Sequence, residues 1–82
     1  METKAFNKEY HKERIVEYVL QSWISGYEMD CDRWTDNHGI PIMIIHLSQD
    51  EKSIVIKSKD FTEIIIPEVE RRFNTFKKGF SL

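Results

Sequence analysis

Residues 40–47, Ile-Pro-Ile-Met-Ile-Ile-His-Leu, restrict the fold of this chain more than any other segment, because nearly every position is apolar. Four of the eight are isoleucine, whose β-branched side chain favours an extended strand. Side chains alternate between the two sides of a strand, so both sides of this one are apolar. One side carries Ile40, Ile42, Ile44 and His46, and the other carries Pro41, Met43, Ile45 and Leu47. Such a strand belongs in the middle of a sheet.

The composition limits the chain to one small domain, which we expect to span residues 1–82. The chain is 40% hydrophobic and 32% charged, a balance too apolar for disorder and too charged for a membrane span. Its net charge of −2 provides no general attraction to nucleic acid or to anionic lipid. A single cysteine excludes an internal disulfide, and the first residues lack the apolar stretch of a signal peptide. We expect a cytoplasmic protein that does not enter a membrane.

Two segments have the periodicity of amphipathic helices. In the first, apolar residues recur at helical spacing between positions 14 and 24, which predicts a helix over about 7–25. Gly26 is suited to a left-handed cap at its end, and Asn7 or Thr3 to a cap at its start.

The second predicted helix covers about 61–78 and contains a proline. Asp60 followed by Glu63 resembles a capping box. Pro67 opposes a continuous helix, but it falls on the side away from the apolar stripe, so a kinked helix is expected. The alternative is a break, with a new helix beginning at Pro67. The apolar stripe consists of Phe61, Ile65, Ile66, Val69, Phe73, Phe76 and Phe80.

Three strands are predicted between the helices, at 27–34, 40–47 and 52–57. Apolar and polar residues alternate in the first, and turn-forming residues occupy 35–39 and 48–51. Short connections favour antiparallel neighbours. The predicted fold class is therefore α+β in the order α-β-β-β-α, with a three-stranded antiparallel meander and two helices packed on one face.

Two helices on one face leave the other face of the middle strand uncovered. An exposed apolar patch of this kind is typical of a contact with another protein or with a second copy of the chain. The alternative is one helix on each face, which would leave no apolar face of the sheet exposed. The predicted interface residues are Trp34, Ile42, Met43, Ile44, Ile45, Leu47 and Val55. The predicted acidic rim is Glu28, Asp30, Asp32 and Asp36.

The sequence contains no pattern that predicts catalysis or a bound metal. The carboxylates at 30–36 do not match a calcium loop, because Thr35 stands at the sixth position, where that loop requires glycine. Cys31, His38 and His46 do not have the spacing of a zinc site. No phosphate-binding glycine loop is present. We therefore expect no catalytic residues, no metal and no cofactor.

The favoured function is a non-enzymatic protein-binding module: an inhibitor, adaptor or regulatory subunit of the kind that phages and mobile elements often encode. The alternative is a nucleic-acid-binding regulator that uses the basic C-terminal helix. This alternative is weaker, because cations at the end of a helix also complement its dipole. The residues of the basic patch are Lys57, Lys59, Arg71, Arg72, Lys77 and Lys78.

Overall fold

The computed structural model describes residues 2–47 and 52–80 and confirms an α+β fold. The predicted hairpin loop at 48–51 lies outside the described residues. The elements are β1 (Glu2–Ala5), α1 (Lys8–Ser25), β2 (Cys31–Thr35), β3 (Pro41–Leu47), β4 (Lys52–Lys57), α2 (Ser58–Asp60), a π-helical segment (Phe61–Ile65) and α3 (Ile66–Phe80).

The sheet has four described strands in the order β1-β4-β3-β2, so the prediction of three strands was one short. The antiparallel meander of β2, β3 and β4 is confirmed. The additional strand, β1, pairs in parallel with β4. Thr3, Lys4 and Ala5 are exposed, so β1 has no apolar alternation that would reveal it in the sequence.

Helix α1 begins and ends at the predicted caps. The Asn7 side chain accepts a hydrogen bond of 2.9 Å from the Glu9 N–H at its start. Gly26, with φ of 75°, donates its N–H to the Ser22 carbonyl at its end, a left-handed conformation that glycine adopts without strain. The buried face of α1 consists of Ile15, Val16, Val19 and Leu20.

Strand β2 begins later than predicted, at Cys31 instead of position 27. Met29 and Cys31 are half-buried against the core between exposed acids, so the alternation in burial follows the sequence, but Tyr27 is 78% exposed and the described strand does not reach it. The Asp30 N–H donates to the Tyr18 hydroxyl of α1 at 3.2 Å. Residues 27–30 therefore connect the end of α1 to the sheet.

The chain remains helical on both sides of Pro67. The Ile66 N–H bonds to the Phe61 carbonyl five residues back, which widens the turn that precedes the proline. Pro67 then follows as the second residue of α3, directly after this widened turn. The alternative of a break at Pro67 is wrong, because the helical path extends from 58 to 80.

Both long helices pack on the same face of the sheet, and the alternative of one helix on each face is wrong. The core contains residues of α1, the π-helical segment and α3 together with one side of β3 and β4. The sheet contributes Met43, Ile45, Leu47, Ile54 and Ile56 to this core. A two-layer domain results, and among the described residues no helix covers the other face of the sheet.

Candidate functional site: the uncovered face of the sheet

The register of the strands defines the face that the helices leave open. Residues directly opposite in neighbouring strands share a face, and Ile44, which points away from the core, lies opposite both Val55 and Asp32. The same pairing continues to β1 through Val55 and Ala5. The "uncovered face" consists of Thr3, Ala5, Asp32, Trp34, Ile42, Ile44, His46, Ser53, Val55 and Lys57.

The centre of the uncovered face is apolar. Ile42, Ile44 and Val55 are half-buried by their neighbours within the sheet. Trp34 lies opposite Ile42 and is 63% exposed. Within 2–47 and 52–80, no helix packs over these four residues. The structure thus brings together four of the seven predicted interface residues.

The other three predicted interface residues belong to the core. Met43, Ile45 and Leu47 are at most 4% exposed and lie under the helices. Both sides of β3 are apolar in the sequence, and only the position of the helices decides which side is buried. None of these three residues belongs to the uncovered face.

A hydrogen-bonded chain crosses three strands beside the apolar centre. His46 Nε2 lies 2.8 Å from Asp32 Oδ2, and His46 Nδ1 lies 2.8 Å from Ser53 Oγ. A carboxylate only accepts hydrogen bonds, so in the neutral imidazole Nε2–H donates to Asp32 and Nδ1 accepts from the serine hydroxyl. The chain ties β2, β3 and β4 together on the uncovered face.

This Ser53–His46–Asp32 chain has the composition of a catalytic triad but lacks its accessibility. A nucleophilic serine must meet the substrate carbonyl directly. Ser53 is only 1% exposed, between β1 and β3 in the sheet. These hydrogen bonds therefore hold the side chains of Asp32, His46 and Ser53 in place within the sheet. Sequence reasoning missed it because the three residues lie 7 and 14 positions apart and meet only through the strand register.

The predicted acidic rim is dispersed. Asp32 is held by His46 on the uncovered face. Asp36 closes the turn before β3, because its carboxylate accepts from the N–H groups of His38 and Ile40 at 2.8 and 2.9 Å. Glu28 and Asp30 precede β2, and Glu28 lines a groove beside α1. The four acids therefore do not form one continuous edge.

Arg72 is engaged in a network of ion pairs that joins α3 to α1. Its guanidinium lies 2.6 Å from Glu13, 3.0 Å from Glu17 and 3.1 Å from Glu68. Glu68 also pairs with Arg71. Hydrogen bonding to Glu13 raises the pKa of Arg72. The hydrogen bond with Arg72 lowers the pKa of Glu13, and the one with Arg71 lowers that of Glu68.

The remaining cations of the predicted basic patch lie in different surroundings. Lys57 belongs to the uncovered face, opposite Ile42. The Lys77 ammonium lies 5.3 Å from the centre of the Phe73 ring. Lys59 and Lys78 are exposed on α2 and α3. With Arg71 and Arg72 paired to glutamates, these six residues do not form one surface for a phosphate backbone.

The three residues considered as zinc ligands are separated. Cys31 is half-buried against the core, His38 stands in the turn at 36–39, and His46 is on the uncovered face. In the part of the chain that the structure describes, no three His, Cys, Asp or Glu side chains are grouped to hold a metal ion.

A second surface feature, which the sequence did not indicate, is an open groove of about 760 Å³ beside α1. Tyr10, Tyr18 and Tyr27 line it together with Glu28 and Leu47. These residues come from three separate segments, so no local pattern marks the groove. Its acids Glu13 and Glu17 already bind Arg72.

Comparison of the chain with models of protein families, with curated protein sequences and with solved structures finds no match. Among the residues that the structure describes, no helix is both long and apolar enough to cross a bilayer.

Proposed function

We propose that this protein is a non-catalytic binding module that contacts another polypeptide through the uncovered face of its sheet. The observation that carries the proposal is the position of Trp34, Ile42, Ile44 and Val55, which adjoin one another on a face without a helical cover. Contiguous exposed apolar patches of a few hundred Å² mark interaction sites on small proteins.

The arrangement of side chains supports a protein partner. The aliphatic residues Ile42 and Ile44 occupy the centre, and the charged residues Asp32 and Lys57 lie to either side. Interfaces between proteins have this organisation of an apolar core and a polar rim. Trp34 adds a large aromatic side chain, the residue type most enriched among the energetic centres of interfaces.

The edges of the sheet are less suited to binding than its face. The outer strand β2 carries Asp32 and Arg33 on its two faces, and the other outer strand, β1, has only four residues. Charged and short edge strands resist pairing with an added strand. We therefore assign the contact to side chains of the uncovered face.

The burial of Ser53 supports a non-catalytic role. The Ser53–His46–Asp32 chain is the arrangement closest to an activated nucleophile among the described residues, and its hydroxyl is enclosed by the sheet. Because the Ser53 hydroxyl is not accessible, we assign the Ser53–His46–Asp32 hydrogen bonds a structural role, in which they make the proposed binding face more rigid.

Site-specific photo-crosslinking in the native cell tests the proposal. A photoreactive phenylalanine derivative replaces Trp34 in one variant and Tyr10 in the other, so that an aromatic residue replaces an aromatic residue in both. Tyr10 is the matched control, because it is 76% exposed but lies on α1. We expect a covalent adduct with a polypeptide at position 34 and little or none at position 10. Absence of an adduct at position 34, or equal adducts at both positions, would overturn the proposal.

A further inference from the structure

No further inference is drawn: the strongest candidate, the open groove beside α1 that Tyr10, Tyr18 and Tyr27 line, carries none, because Glu13 and Glu17 in its lining already bind Arg72 and nothing in the structure shows what covers it.

Discussion

His46 joins two neighbouring strands through its side chain, since its Nε2 lies 2.8 Å from the carboxylate of Asp32 on β2. The other ring nitrogen reaches Ser53 on β4, so a single imidazole connects three strands of the sheet. These hydrogen bonds restrain the edge strand β2 on the face that we propose as the binding surface.

The first prediction concerns that restraint. Asp32→Ala should lower the free energy of unfolding by about 1 kcal/mol, because the imidazole loses its acceptor. Asp32→Asn should cost less, since the amide oxygen can still accept from Nε2–H. Urea unfolding at neutral pH measures both. Equal losses for the two variants would mean that the hydrogen bond to His46 does not stabilise the sheet.

The second prediction compares the stability contributed by residues on the two sides of β3. Ile45 is fully buried, so Ile45→Ala should cost about 2–5 kcal/mol of unfolding free energy. Ile44 is half-buried on the uncovered face, and Ile44→Ala should cost about 1–2 kcal/mol. Chemical denaturation of the two variants measures both losses. A larger loss for Ile44→Ala would contradict the assignment of the two faces.

The third prediction concerns acid unfolding and Arg72. The pKa values of Glu13 and Glu68 lie below the ordinary value of 4.5 because of their hydrogen bonds to Arg72 and Arg71. The stability that these carboxylates contribute is therefore complete above pH 4.5 and is lost as the pH falls through their lowered folded-state pKa values. Arg72→Ala should make the loss of stability below pH 4.5 shallower.

Arg71→Ala is the matched control for this measurement. Among the described contacts, Arg71 pairs only with Glu68 in its own helix, whereas Arg72 also reaches Glu13 and Glu17 on α1. We expect the smaller change in acid stability for Arg71→Ala, measured by thermal unfolding at a series of pH values. A larger change would show that the contacts between helices contribute little.

The fourth prediction concerns His11 at the start of α1. Its pKa lies below the ordinary value of 6.5 because the ring is partly buried and because Lys4 and Arg14 are near. Its Nδ1 accepts from the Asn7 N–H at 2.8 Å, which requires that nitrogen to be unprotonated. Stability should therefore fall as the pH falls from 6.5 through the lowered folded-state pKa. Thermal unfolding of His11→Ala should show a reduced slope in this window, and an unchanged slope would contradict the prediction.

The sequence predicted those elements whose regularly spaced apolar residues are buried in the core. Helix α1, the core strand β3 and the apolar stripe through Phe61, Ile65 and Val69 all follow this rule. Strand β1 was missed because it is short and exposed, and a strand held by backbone pairing leaves no apolar alternation. The alternation from Tyr27 onwards led to a strand that starts too early, since Tyr27 is exposed and Met29 packs against the core from a connecting segment.

The candidate site could be predicted only in part. An excess of apolar residues on β3 indicated that one of its sides would be exposed, but both sides were equally apolar. The choice between Ile44 and Ile45 depends on where the helices pack, which is a property of the tertiary structure. The hydrogen bond between His46 and Asp32 depends on the register of β2 and β3, and the spacing of these residues in the sequence does not indicate it.

The parallel pairing of β1 with β4 has a consequence for the order of folding. Glu2 lies opposite Lys52, so a long stretch of chain must be enclosed before this ladder forms, at a substantial entropic cost. Contacts between residues so distant in the chain form slowly, whereas α1 and the meander depend on nearer neighbours. We expect β1 to dock last and to detach first, and its amide protons to exchange with solvent sooner than those of β3.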